Sequence, residues 1–241
     1  MGTLVGIHPV REALASGRPV ERVLVARGAG GARVQEIVDL CRRAHVPVRF
    51  EPREALDRAA GGAAHQGVVA FAAAHEWGSL DQLRERAELV IVLDGVEDPH
   101  NLGAIVRTAN AAGADAVLVP DRRSAGLTET VAKAAAGALE HVPLLRIGNV
   151  TQALENLKAR GFWLYALDER GEVSYTEVEY ARPTALVFGG EGHGLHAHVR
   201  RNCDVTVRIP MAGRIPSLNV SVAAGIVLFE WRRQAGRARH L

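Results

Sequence analysis

The sequence predicts an α/β protein built in two parts. Short β-branched runs alternate with longer stretches of helical apolar spacing, a polar stretch at 73–86 interrupts the alternation, and it restarts at Leu89-Val90-Ile91-Val92-Leu93. An unbroken apolar strand of that kind suits a parallel sheet covered on both faces. The 241 residues suffice for one to two domains. The expected division is a small α/β unit at 1–75, a linker at 76–88 and a larger parallel-sheet unit at 89–241.

In the first unit a helix is expected at 9–15 and a strand at 22–26. A helix at 32–44 follows, with Val34, Ile37, Val38 and Cys41 on one face, then a strand at 46–50, a short helix at 52–59 and a strand at 67–72. In the second unit, strands are expected at 89–93, 116–119, 142–146, 162–167, 184–188 and 204–208. Helices at 102–112, 128–136 and 150–160 connect several of them, and a helix at 219–233 closes the unit. Strands separated by helices imply right-handed crossovers and an open sheet with helices on both sides. Ligands in such sheets sit on loops at the carboxyl ends of the strands. Three loops therefore carry the functional reading: 94–101, 189–194 and 210–218.

Composition narrows the classes. A chain 48% hydrophobic and 23% charged is globular rather than disordered. Its longest apolar run, 222–229, falls far short of the roughly 20 residues that cross a bilayer. The opening MGTLVGIHPV lacks a basic region followed by an apolar one, so a cytoplasmic address is expected. Cys41 and Cys203 are too few for a disulfide framework or a four-cysteine zinc site, and read as packed or idle thiols. The net charge of +2 is no nucleic-acid signature, although residues 1–75 carry ten Arg against seven Asp or Glu. The C-terminal Arg232, Arg233, Arg237 and Arg239 read as a solvated tail.

The first loop reads Asp94-Gly95-Val96-Glu97-Asp98-Pro99-His100-Asn101-Leu102-Gly103 and runs into a helix whose apolar stripe is Leu102, Ile105, Val106 and Ala109. Arg107 lies off that stripe, with Gly103 and Asn110. Asn101 is also read as a helix N-cap and Arg107 as a solvated surface charge, and the loop alone does not choose. The second loop, Gly189-Gly190-Glu191-Gly192-His193-Gly194, has four glycines in six positions. Close backbone approach is expected there, with Glu191 as the strongly polar side chain. Its overlap with a GxGxxA dinucleotide pattern is discounted, because no acid follows about 20 residues on to hold a ribose. The third loop, Ile209-Pro210-Met211-Ala212-Gly213-Arg214-Ile215-Pro216-Ser217-Leu218-Asn219, is stiffened by prolines. It opens a helix apolar nearly all round, which predicts burial or dimerisation. Ser217 and Asn219 on spacing alone read as capping residues. His193, His196 and His198 are set aside as a metal site: 196 and 198 diverge on a helix, and no Cys or carboxylate completes a tetrahedral set.

Three segments, LDGVEDPHNLGAIVRTANAAGADAVLVP, ALVFGGEGHGL and IPMAGRIPSLNVSVAAGIVLFEW, resemble the three motifs of the SpoU group of SPOUT RNA ribose methyltransferases, in the family's order. GIHPVREAL and AAHQGVVA resemble the small ribosomal-protein-like substrate-binding domain of bacterial enzymes that methylate a guanosine of large-subunit rRNA. The resemblance implies a homodimeric 2′-O-methyltransferase, with S-adenosylmethionine as donor seated in a C-terminal trefoil knot. The 1–75 unit would bind the RNA substrate, most plainly 23S rRNA, and 89–241 would be the methyltransferase domain. Asn101 and Arg107 match the first motif's functional pair, Glu191 the second motif's acid, and Ser217 and Asn219 the polar pair of the third. Similarity places the donor against backbone near Gly189, Ile209 and Leu218, and implies no metal and no membrane.

The chemistry limits the roles. A ribose hydroxyl is a poor nucleophile until its proton leaves or its developing charge is stabilised, and positioning is a large part of the task. A guanidinium stays protonated at any physiological pH, so an electrostatic and orienting role suits Arg107 better than that of a base. Methylation of tRNA or of an rRNA adenosine is the near alternative. A noncatalytic RNA-binding or assembly factor is the alternative of another class.

Overall fold

The computed structural model describes residues 2–238, with side chains to 236. Arg239 of the expected tail lies outside the described residues. The chain divides into two compact units, Met1–Glu76 with Leu127–His141, and Trp77–Gly126 with Val142–Leu241.

The first unit contains β1 (Gly2–Val5), α1 (Ile7–Ala15), β2 (Val20–Ala26), α2 (Ala32–Arg43), β3 (Val48–Glu51), α3 (Arg53–Ala59) and β4 (Val68–Ala72). Its sheet order is β1-β4-β2-β3, with β2–β3 parallel and the pairs made by β4 antiparallel. Alternation along β2 separates two cores. Val23 and Val25 pack with Val10, Leu14, Val34, Ile37 and Cys41, whereas Leu24 and Ala26 pack with Leu56, Ala60 and Val69. β1 escapes the sequence reading because its four residues gain their pattern only by pairing with β4.

The second unit begins with β5 (Gly78–Ser79), β6 (Leu89–Asp94), α4 (Pro99–Ala112) and β7 (Ala116–Pro120). α5 (Glu129–Ala135), next in the chain, belongs to the first unit. The second unit resumes with β8 (Leu144–Ile147), α6 (Val150–Ala159), β9 (Trp163–Leu167), β10 (Val173–Ser174), β11 (Thr184–Gly189), α7 (Ala197–Arg201), β12 (Val205–Arg208) and α8 (Val220–Ala238). Its eight strands run in the order β10-β12-β9-β11-β6-β7-β8-β5, and every pairing is parallel. The expected parallel sheet is present, flanked by helices.

β6 is buried along its whole length, and Leu89, Ile91 and Leu93 are fully buried. Burying each such side chain contributes about 1.5–3 kcal/mol. The polar stretch expected to be a linker contains β5 and a 3₁₀ turn, Leu80–Gln82, closed by a capping box between Ser79 and Gln82. α8 extends past the expected end at 233, and Arg232 and Arg233 belong to it rather than to a solvated tail, with Arg233 paired to Glu230 at 2.5 Å. Two short strands also went unanticipated, because segments of two residues carry too few positions to show a period.

This topology positions the three loops. β11 lies between β9 and β6, with Phe188 opposite Leu93 and Leu167. The loops leaving β6, β11 and β12, the last set one strand away from β11 by β9, therefore emerge at the same carboxyl edge of the sheet.

Candidate active site

A cavity of about 770 Å³ opens at that edge of the second unit. Gly189 to Leu195 form one wall. Ile209, Met211 and 216–220 form another, and Leu167, Asp168 and Phe188 close the floor.

The glycine loop is built by close backbone approach. An added Cβ on Gly189 would lie 2.1 Å from the Gly194 carbonyl carbon, and one on Gly190 only 1.7 Å from the Gly95 carbonyl oxygen. No other residue type fits either position. Gly190 N–H donates to the Asp94 carbonyl at 2.8 Å, and Gly194 N–H to the Gly190 carbonyl at 3.1 Å. Asp94, nearly fully buried at the end of β6, accepts the His196 backbone N–H at 2.9 Å and faces its Nδ1 at 3.0 Å. The carboxylate thus ties the loop's far end to the sheet. The sequence reading passed over Asp94 and found no carboxylate for His196; the two lie 102 positions apart, and only strand pairing joins them. The expected divergence of His196 and His198 is also overturned: His196 precedes α7 rather than lying within it, and the two rings are 5.6 Å apart. Among the described residues no group of three His, Cys, Asp or Glu is arranged for a metal ion.

Three expected site residues meet in one hydrogen-bonded chain. Asn101 Nδ2 donates to Glu191 Oε1, and Asn219 Nδ2 donates to Asn101 Oδ1 at 2.9 Å. Asn219 Oδ1 accepts from the Ser221 N–H at 2.8 Å and from its hydroxyl at 2.6 Å. Asn219 therefore caps α8 and joins the site at once. The capping reading of Asn101 is corrected: Asp98 caps α4 by accepting the His100 N–H at 2.8 Å, which leaves the Asn101 amide, nearly buried, free for Glu191 and Asn219.

Gly189, Ile209, Ser217 and Leu218 line the cavity. Arg107 does not. It is exposed on α4, six residues past Asn101 and so about 9 Å along the axis on another side of the helix. Among the described residues it has no hydrogen-bond or ion-pair partner. Sequence reasoning also missed Arg200, at the cavity rim, 3.4 Å from Asp168.

The sequence of these loops is matched by a family model. Residues 88–229 match the SpoU rRNA Methylase family, and residues 3–78 match the RNA 2′-O ribose methyltransferase substrate-binding model. The chain belongs to the SpoU family of S-adenosylmethionine-dependent RNA methyltransferases. A Bacillus subtilis protein, YacO, named provisionally as a TrmH family tRNA/rRNA methyltransferase, is 40% identical over 237 residues, covering 96% of this chain and 95% of its own. The AviRb SpoU methyltransferase of Streptomyces viridochromogenes, solved with AdoMet, superposes with a TM-score of 0.80 at 27% identity, covering 97% of this chain and 89% of its own. A structure described as an RNA 2′-O ribose methyltransferase superposes with a TM-score of 0.78 at 30% identity, covering 97% and 88%. Family membership establishes an RNA methyltransferase. The cavity suits the donor: its volume lies in the range of small-molecule sites, and one wall is a glycine loop held by close backbone approach at Gly189 and Gly190.

Proposed function

We propose that this protein transfers a methyl group to the ribose 2′-hydroxyl of a guanosine in 23S rRNA. The observation that carries the reading is the meeting of Asn101, Glu191 and Asn219 at a glycine-walled cavity. The substrate-binding match at 3–78 and the 2′-O neighbour favour the ribose as acceptor. An N-terminal RNA-binding domain at 1–75, joined through 76–88 to a methyltransferase domain at 89–241, favours rRNA over tRNA.

When bound, S-adenosylmethionine supplies an electrophilic methyl on a sulfonium. Gly189, Ile209 and Leu218 hold the donor through backbone and apolar contact, with the chain threaded as a trefoil knot around it. Asn101 and Asn219 orient the acceptor ribose, Ser217 lies beside them on the cavity wall, and Glu191 fixes the Asn101 amide. With the donor bound there, the 2′-hydroxyl oxygen would take the methyl as the neutral thioether leaves, and the hydroxyl proton would pass to a phosphate oxygen or to solvent. Arg107 lies off this cavity, so its fixed positive charge serves the arriving RNA by holding the phosphate that adjoins the acceptor ribose.

A homodimer completes the enzyme. Ile215, Leu218, Val222 and Phe229 are 72, 39, 51 and 52% exposed, an apolar surface on the third loop and α8 that a second copy covers. The enzyme works in the cytoplasm, where its RNA is.

The test is incubation with methyl-labelled S-adenosylmethionine and unmodified 23S rRNA, followed by mapping of alkali-resistant linkages. One such linkage at a guanosine is expected. Label on tRNA, on an adenosine or on a base would overturn the assignment of acceptor, and donor binding without any transfer would favour a noncatalytic RNA-binding factor.

A further inference from the structure

We propose that the carboxyl edge of the β2–β3 pair in the first unit is where unpaired RNA docks, a base stacking on Phe50 while Arg27, Arg33 and Arg53 hold the flanking phosphates. The inference rests on the RNA-methyltransferase reading and names the surface the substrate meets.

Three observations carry it. Phe50 is 54% exposed, and among the described residues it is the only large apolar side chain of the first unit left so open. It stands at the end of an edge strand, opposite Val25, where the parallel pair delivers both following loops to one side. The unit's arginines also sort by partner. Arg11, Arg18, Arg22 and Arg42 pair with carboxylates. Arg27, Arg33, Arg43, Arg49, Arg53 and Arg58 have no carboxylate partner among the described residues and are exposed, and of these Arg27, Arg33 and Arg53 lie just past the carboxyl ends of β2 and β3.

Those three sit on the segments that follow β2 and β3. Arg27 follows β2, and its Nε donates to the Phe50 carbonyl at 3.3 Å while its N–H donates to the Glu51 carbonyl at 2.8 Å. Arg33 opens α2 after the exposed Gly30 and Gly31, and Arg53 opens α3 after β3. Glu51 and Glu54 share this edge without forming an ion pair to any of the three. Exposed aromatic faces among arginines are the chemistry of single-stranded nucleic acid: every base offers a face to stack, and the guanidinium matches phosphate. Duplex RNA, its bases already stacked, gains nothing from Phe50.

The test compares Phe50→Ala, Phe50→Trp, Arg33→Ala and Arg42→Ala in the full chain. Substrate is total RNA from cells lacking the enzyme, and a fluorescent single-stranded oligoribonucleotide and its duplex serve as binding probes. Phe50→Ala should raise the KM for RNA and weaken the single-strand probe about tenfold, with kcat and donor Kd unchanged. Phe50→Trp should restore both. Arg33→Ala should flatten the slope of log affinity against log salt by about 0.7, while Arg42→Ala leaves it alone. A Phe50→Ala protein that melts like wild type yet binds the single strand equally well overturns the inference while the methyltransferase reading stands. A wild-type protein that neither binds nor methylates any RNA overturns both.

Discussion

In the proposed mechanism Arg107 and Asn101 divide the work of one helix. Asn101 is nearly buried and held from two sides, by Glu191 and Asn219; Arg107 is exposed and held by nothing among the described residues. A group so placed acts on what arrives from solvent. Arg107→Ala should lower kcat about 10²–10³-fold, the scale of losing one preorganised charge donor, with the donor Kd unchanged by calorimetry. Loss of donor binding would contradict that division. Glu191→Gln keeps the shape but removes the charge that faces the Asn101 amide, and should lower kcat more than it raises the KM for donor. The cysteines offer a second check at this scale. Burial pushes the Cys41 thiol up to about 11 and the Cys203 thiol up to about 12. Both should stay silent to a thiolate-selective reagent at pH 8 in the native protein and react when it is unfolded.

Among elements, the legible ones were those with a long period or an unbroken apolar run. β6 and the apolar face of α2 show themselves because burial there repeats along the segment. The glycine loop was legible as a cradle but not as a joint: the residues that make Gly190 indispensable are Gly95 and Asp94, nearly a hundred positions away. The Asn101–Asn219 contact spans 118 positions, and local pattern carries no trace of it. Gly190→Ala should therefore do more than a loop substitution usually does. Its methyl would meet the Gly95 carbonyl, so the loop must shift, at a cost of roughly 1–3 kcal/mol. The expected result is a melting temperature lower by several degrees and donor affinity reduced at least tenfold. Asp94→Asn, by weakening the tie to His196, should reduce donor affinity with a smaller change in melting temperature.

At the scale of the molecule, two compact units meet different demands. The first carries ionic ties at its surface: His141 and Arg11 both hydrogen-bond the Glu12 carboxylate, and together they hold it below the usual carboxylate range. A folded pKa lowered in this way gives stability that is present above the unfolded value of 4.5 and is lost as pH falls through the folded value. Glu12→Gln should lower the melting temperature at pH 7 and flatten its fall below pH 4.5. The second unit leaves Val222 and Phe229 exposed on α8, which packs along α4 with Gly225 beside Thr108. Replacing both with Ser should convert the proposed dimer to a monomer in light scattering and reduce methylation, because α4 also carries Asn101 and Arg107.

The most direct measurement is a crystal structure with S-adenosylmethionine bound. The account expects the donor in the cavity between 189–195 and 209–219, against the backbone of Gly189, Ile209 and Leu218, with the Asn101–Asn219 pair at its open side. Density for the donor at any other place, with both loops left free of it, would contradict the account.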